Sequence, residues 1–548
     1  MYFQDKVVYQ IYPKSFKDTT GNGLGDINGI TEKLDYLATL GVDYLWLCPI
    51  YPSPQNDNGY DVADYRAINP EYGTMADFER LCQEAKKRQI HIMLDMVFNH
   101  TSTEHQWFQK ALAGEKEFQD YYLFKQGKND KQPPNNWQSK FGGSAWEYVA
   151  QLDKWYLHLF DVTQADLNWE NPKVRQEMAE IVNFWREKGV HGFRFDVVNL
   201  ISKGSYEDDP NHFDGRQFYT DGPKVHQYLQ ELNQNSFGQD TESFTVGEMS
   251  STTLPNCIRY SGKDTHELSS VFTFHHLKVD YKDGQKWQLK PFDFLELKRL
   301  MNDWQIGMAQ ANAWNALFWC NHDQPRAISR FGDDKNYPYQ SATMLATTLH
   351  MMRGTPYIYQ GEEIGMTNAY FTDIEQYRDI ESLNIYRILR EQGKSSEEII
   401  TILQARSRDN ARTPMQWNAE KNAGFSLVKP WIQVNENYHK VNVEQALNDK
   451  NSIFYYYQNL IKLRKAYPVI QQGDYRPLLI EHPKIFSFRR QYKNQKLIVI
   501  SNFYPEQIAI PLENRFLSDY KILFSNYSRK DFTNNKLASY ETRVYYQE

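Results

Sequence analysis

Short apolar runs alternate with stretches of helical spacing along the first hundred residues. Residues 7–12 (Val-Val-Tyr-Gln-Ile-Tyr), 44–50 (Tyr-Leu-Trp-Leu-Cys-Pro-Ile) and 90–97 (Ile-His-Ile-Met-Leu-Asp-Met-Val) read as strands covered on both faces. Between them, 27–40 and 77–88 carry apolar residues at helical spacing, and Gly41 ends the first of these. The rhythm returns with a helix near 172–188 and a strand at 192–197 (Gly-Phe-Arg-Phe-Asp-Val). A long loop (202–222), a helix (223–235) and strands at 244–248, 271–276, 316–323 and 355–362 follow. Eight strands interleaved with helices predict an α/β fold, a (β/α)8 TIM barrel. In that fold the reactive groups stand at the C-terminal ends of the strands.

Two stretches fall outside the rhythm. Residues 101–165 hold Trp107, Trp137, Trp146 and Trp155 without a clean period, and are too long for an ordinary strand-to-helix loop. They read as an inserted subdomain after the third strand. From about residue 470 the texture becomes alternating strands, such as 485–489 and 497–500, separated by Asn-rich turns: a C-terminal antiparallel β domain. The expected organisation is barrel (1–100), insert (101–165), barrel resumed (166–469) and β domain (470–548).

Composition narrows the function classes. The net charge of −7 and the lack of a basic stripe argue against nucleic acid as a partner. No leader precedes the first strand, and no run of about 20 apolar residues occurs, so no membrane association is expected and the location expected is cytoplasmic. The four cysteines are far apart and form no CxxC pair, which fits reduced thiols rather than a disulfide frame or zinc site. The 15% aromatic content suits both a large core and a cleft in which sugar rings stack.

The barrel strands end in acids: Asp196, Glu248 and Asp323 close the fourth, fifth and seventh. One acid at a strand end usually caps the next helix. Three of them aimed at one mouth make the set that glycoside hydrolysis needs: an ionised nucleophile, a protonated donor and a group to hold the ring. In strand geometry Arg194 and Asp196 share a face, and a cation beside a carboxylate holds it ionised. Asp196 is therefore read as nucleophile, Glu248 as proton donor, and Asp323, beside His322, as a ligand for ring hydroxyls. Near the N-terminus, the loop from Asp18 to Asp26 spaces its oxygen side chains either as a small Ca²⁺ loop or as a plain Gly-rich turn.

The stretches Asp95-Met-Val-Phe-Asn-His100, 192–196, Gly247-Glu248 and Asn321-His-Asp323 resemble, in order and spacing, the four short motifs of the alpha-amylase family, glycoside hydrolase family 13. Residues 164–168 (Gln-Ala-Asp-Leu-Asn) resemble its fifth motif, with Ala165 where Pro is more usual. The resemblance implies a retaining mechanism through a covalent glycosyl-enzyme, with Asp61, His100, Arg194 and His322 contacting the innermost sugar. Val197 and the stretch Ala411-Arg412-Thr-Pro-Met-Gln-Trp417 resemble the oligo-1,6-glucosidase branch. There Arg412 pairs with Asp61 and closes the pocket, which implies exo-action. The branch also implies a structural Ca²⁺ at Asp18, Asn22, Leu24 and Asp26, although Thr20 and Asn22 replace more usual Asn and Asp. No cofactor is implied for the chemistry.

Residues 137–146, 246–253 and 274–281 are similar to branch members that cleave α,α-trehalose 6-phosphate, which makes a small phosphorylated disaccharide the expected partner. A phosphate on the second sugar needs cations at the mouth. Lys278, Lys282 and Lys286 follow the sixth strand around an Asp283-Gly284 turn. In an ideal two-residue hairpin Lys278 and Lys282 share a face and Lys286 lies opposite. Lys278 and Lys286 are favoured over Lys282. The bland reading is a solvated hairpin, with Asp280 and Asp283 opposing the lysines. Rival functions are an isomaltase acting on unphosphorylated α-1,6-glucosides and, more remotely, a non-catalytic amylase-like scaffold.

Overall fold

The structure is a computed structural model, and it describes residues 3–128, 131–212, 214–512, 517–528 and 535–548. Eight parallel strands alternate with helices as the patterning predicts: β1 (Val8–Ile11), β2 (Tyr44–Leu47), β3 (His91–Met96), β4 (Gly192–Phe195), β5 (Phe244–Met249), β6 (Ser270–Thr273), β7 (Ala316–Leu317) and β8 (Thr355–Tyr359). They form the sheet of a (β/α)8 barrel. The chain divides into two compact units, and β2 runs through the boundary between Leu45 and Trp46.

The first unit holds residues 1–45, 274–377 and 396–548. Its barrel strands follow the order β2–β1–β8–β7. It also contains a five-stranded antiparallel sheet built from Arg476–Leu478, Ile485–Tyr492, Gln495–Asn502, Thr542–Gln547 and Lys521–Ser525, in that spatial order. One face of that sheet packs Ile485, Ile498, Ile500 and Tyr545 with Leu537, from the short strand Lys536–Leu537, into a separate core, which is why the alternation from residue 485 onward is so clear in the sequence.

The second unit holds 46–273 and 378–395, with strand order β6–β5–β4–β3–β2. Its insert forms a three-stranded antiparallel sheet (Phe124–Lys125, Lys154–Leu157, Trp146–Val149) and a ladder between His100–Ser102 and Gln164–Asp166. The insert's tryptophans have a packing role: Trp137 and Trp146 join Leu157, Leu159, Leu200 and Tyr219 in one buried cluster. Trp137 stacks on Tyr206 and Phe218 from the loop after β4.

Two strands are shorter than their apolar runs. The fourth stops at Phe195 because Val197 takes φ 35°, ψ 39°, left-handed space that a β-branched side chain occupies at a cost of about 1–3 kcal/mol. The seventh stops at Leu317 although the run continues to Asp323. There the side chain of Asn321 accepts from the backbone N–H of Asp323 (2.9 Å), a local turn that competes with the ladder. Among the described residues no helix is long and apolar enough to cross a membrane, and none of the four cysteines forms a disulfide.

Candidate active site

Register places the charges of the second unit. Across β3 and β4, Asp95 pairs with Arg194. Across β4 and β5, Val246 pairs with Arg194 and Gly247 with Phe195, so Glu248 lies level with Asp196. Side chains alternate along a strand, which puts Arg194 and Asp196 on one face. The expected pairing is realised. Arg194 Nη1 donates to Asp196 Oδ1 at 2.7 Å and to Asp95 Oδ1 at 2.6 Å, and Nη2 contacts Glu248 Oε2. On the opposite face Gly247 leaves room for Leu268, whose Cδ1 would lie 2.5 Å from a Cβ and would have to shift.

One guanidinium thus serves three carboxylates, all of them buried. Carboxylates gathered around one buried cation repel one another, which makes the fully ionised set costly. Burial pushes Asp95 up to about 7, opposed by Arg194 and reinforced by Asp196. The same carboxylates lift Arg194 well above its ordinary value against its own desolvation. Trp46, Tyr60 and Phe272 surround the guanidinium, with ring centroids 5.1, 5.8 and 6.0 Å away. Trp46 Nε1 and Tyr60 Oη also donate to Asp95 Oδ2. Asp95 stood in a quoted motif, but only the fold shows it to be Arg194's partner.

Asp61 and His100 belong to the same unit. Asp61 is fully buried and accepts from Ser53 Oγ (2.8 Å) and the backbone N–H of Asn56 (2.8 Å). Burial nevertheless raises its carboxyl pKa. His100 contacts Asn99 Nδ2 through Nδ1 (3.2 Å) and the Tyr60 carbonyl through Nε2 (3.1 Å), and burial holds it neutral by lowering its pKa.

The remaining sugar-site candidates lie in the first unit. Asp323 Oδ1 accepts from Arg412 Nη2 (2.9 Å) and Arg408 Nη1 (3.3 Å), and Oδ2 lies 3.2 Å from His322 Nε2. Gln10 on β1 donates to His322 Nδ1 (2.8 Å). Tyr12 stacks on the same ring at 6.1 Å and lies 5.5 Å from the Arg412 guanidinium. Sequence reasoning missed Gln10 and Arg408. No local signal marks Gln10, and Arg408 lay three residues before a quoted motif.

The lysine segment departs from an ideal hairpin. It makes two 3₁₀ turns, His275–Leu277 and Lys282–Gly284, and closes through an isolated bridge between Tyr281 and Leu289. The two-residue hairpin, and the face assignment that followed from it, does not apply. Lys278 and Lys282 are exposed, and Lys286 lies over the Trp287 ring at 4.7 Å. Asp280 does not oppose them: it is buried between Arg330 (2.8 Å) and Arg406 (2.6 Å), which neutralise it and anchor the segment.

The loop from Asp18 to Asp26 does not fit a cation. Asp18 Oδ1 accepts from the N–H groups of Thr20 and Gly21, and Oδ2 from Gly23 N–H and Ser426 Oγ. Those donors outweigh burial and lower its pKa. Asp26 accepts from Thr19 and caps the helix Ile27–Glu32 through Gly29 N–H. Asn22 accepts from Leu24 N–H. Oxygens committed to N–H and O–H donors do not form the cage that Ca²⁺ requires. Among the described residues no group of three or more His, Cys, Asp or Glu side chains is placed to hold a metal ion.

Residues 10–473 match the family model of the alpha amylase catalytic domain, and residues 485–544 match that of the alpha-amylase SusG C-terminal domain. The chain is 55% identical to the trehalose-6-phosphate hydrolase of Bacillus subtilis (strain 168), covering 99% of this chain and 98% of the relative. It is 48% identical to an oligo-1,6-glucosidase of Halalkalibacterium halodurans, covering 99% and 98%. The crystal structure of Bacillus licheniformis trehalose-6-phosphate hydrolase superposes with a TM-score of 0.94 at 55% identity, covering 99% of each chain.

Proposed function

The chain belongs to the alpha-amylase family, and from that premise we propose that it is a retaining exo-α-glucosidase that hydrolyses α,α-trehalose 6-phosphate to glucose and glucose 6-phosphate. The observation that carries the chemistry is the Arg194 hub: one guanidinium bonded to Asp196 and Asp95 and touching Glu248. The substrate rests on the likeness, over nearly the whole length, to trehalose-6-phosphate hydrolases.

In this mechanism Asp196, hydrogen-bonded to Arg194, attacks the anomeric carbon of the unphosphorylated glucose. Glu248 gives its proton to the bridging oxygen, and glucose 6-phosphate leaves. Glu248, now a carboxylate, takes a proton from water, the water attacks the glycosyl-enzyme, and glucose departs with its configuration retained. The buried charge imbalance favours the protonated form of one acid before reaction and its ionised form once Asp196 is esterified, because an anion has then been removed from the set. Asp61, His100, His322, Asp323 and Arg412 hold the hydroxyls of the innermost sugar. Lys278 and Lys286, with Lys282 the weakest candidate, meet the phosphate. No step calls for a cofactor. We place the enzyme in the cytoplasm, where four cysteines that form no disulfide remain reduced. Proton NMR of the first turnovers tests the stereochemistry: glucose released first as the α anomer supports retention, and the β anomer contradicts it.

A further inference from the structure

Lys203 is a buried cation that the mechanism above does not use. It lies seven positions after Asp196, beyond the 3₁₀ turn Val198–Leu200, and is 8% exposed. Its ammonium has three close acceptors: Asp166 Oδ2 at 2.7 Å, Leu200 O at 2.7 Å and Asn99 Oδ1 at 2.8 Å. These come from the short strand Gln164–Asp166, the turn after Asp196 and the segment that follows β3. An ammonium has three donors and no acceptor, so each neighbour must present a lone pair.

That requirement propagates. Asn99 must turn its carbonyl oxygen toward Lys203, which directs its NH₂ the other way. The NH₂ then meets Asp166 Oδ2 (3.1 Å) and His100 Nδ1 (3.2 Å). An amide NH₂ can only donate, so Nδ1 must be the unprotonated nitrogen of the ring. The proton of neutral His100 is left on Nε2, where the Tyr60 carbonyl accepts it at 3.1 Å. The NH₂ of Gln164 also lies 3.2 Å from His100 Nε2, but its two hydrogens have acceptors in Asp57 Oδ2 and Tyr60 O, both at 3.2 Å. With both Gln164 hydrogens placed on those acceptors, every donor in the network has a lone pair to meet and Nδ1 is the unprotonated nitrogen.

We propose that Lys203 is a positioning residue that fixes the amide orientation of Asn99 and, through it, the Nε2–H tautomer of His100. Nε2 is then a donor and not an acceptor, and in this structure the Tyr60 carbonyl takes its hydrogen. The functional part of this rests on the reading of His100 as a sugar contact; the relay itself does not. A second consequence is mechanical. The same ammonium ties the segment after Asp196 to the segment that follows β3, so the strained turn at Val197 is held from both sides.

The test is ring-¹⁵N histidine NMR on the full chain, with the His100 signal identified by its loss in His100→Gln. Wild-type enzyme should show the proton on Nε2. In Lys203→Met, His100 should become a mixture of tautomers or turn to Nδ1–H, and kcat/KM for an aryl α-glucoside should fall at least about tenfold. Should that variant fail to fold, Asn99→Asp decides, because it keeps an acceptor for Lys203 and places an oxygen against Nδ1. There His100 should gain a proton on Nδ1. An Nδ1–H tautomer in the wild type overturns the proposal, as does an unchanged tautomer in the folded variants, even if activity falls. A tautomer that moves while kcat/KM stands supports the relay and instead refutes the sugar-contact reading of His100.

Discussion

Asp95 and Arg194 are register partners on neighbouring parallel strands, with Oδ1 and Nη1 2.6 Å apart. That pair anchors the guanidinium from which Asp196 hangs. Asp95→Asn keeps the shape and removes one anchoring charge. A charge-assisted hydrogen bond is worth about 1.5–3 kcal/mol, so kcat/KM should fall about ten- to a hundredfold. Arg194 retains Asp196 as a partner and the fold persists. Steady-state kinetics beside a thermal melt would check it, and unchanged kinetics would remove Asp95 from the site.

Asp196→Asn should abolish nearly all turnover while leaving the circular dichroism spectrum intact. A carboxamide cannot form the glycosyl ester, and Arg194 still has Asp95. Residual activity above about one percent of wild type, after exclusion of deamidation by mass spectrometry, would assign the nucleophile elsewhere.

Lys278→Ala and Lys286→Ala should each raise KM for the phosphorylated substrate by the worth of a charge-assisted bond, roughly 1.5–3 kcal/mol. An aryl α-glucoside, which has no phosphate, should be hydrolysed as before. Equal losses on both substrates would mean that the segment closed by Tyr281 and Leu289 has been damaged instead.

Chelation addresses the loop from Asp18 to Asp26. Its carboxylates are already satisfied by backbone and hydroxyl donors. Prolonged EDTA treatment should leave Tm unchanged, and added Ca²⁺ should not raise it. A drop on chelation that Ca²⁺ reverses would restore the metal site.

Glu362, after β8, provides a pH test away from the reacting groups. Burial pushes its pKa up to about 7, although Tyr359 N–H, Tyr457 Oη and Cys320 Sγ donate to it. A carboxyl raised in the folded state binds a proton there that the unfolded chain has lost. Its contribution is complete below the ordinary glutamate range and is lost as pH rises through 7. Relative to Glu362→Gln, the wild type should therefore lose stability between about pH 4.5 and 7, by roughly 3 kcal/mol at most. Denaturant titrations across that range would show it, and parallel pH curves would contradict it.

The barrel could be read from the chain because strands buried on both faces are continuous apolar runs, and the acids could be read because each ends such a run. The Arg194–Asp196 contact followed from strand alternation alone. Other features depend on neighbours far apart in sequence. Gln10 meets His322 across 312 positions, and Lys203 meets Asn99 across 104. No local period announces either. The loop from Asp18 to Asp26 was ambiguous for another reason: Asx turns and cation loops use the same oxygen spacing, and only the observed donors distinguish them. The lysine segment failed the hairpin rule because Asp280 is drawn inward by Arg330 and Arg406, which no two-residue turn anticipates.

The central claim is hydrolysis of a phosphorylated α,α-1,1-glucoside. Purified enzyme assayed side by side with trehalose 6-phosphate, trehalose and isomaltose tests it most directly. The account predicts a kcat/KM for trehalose 6-phosphate well above either unphosphorylated sugar, with glucose and glucose 6-phosphate formed in equal amounts. Equal or faster turnover of isomaltose would contradict it and make the protein an oligo-1,6-glucosidase.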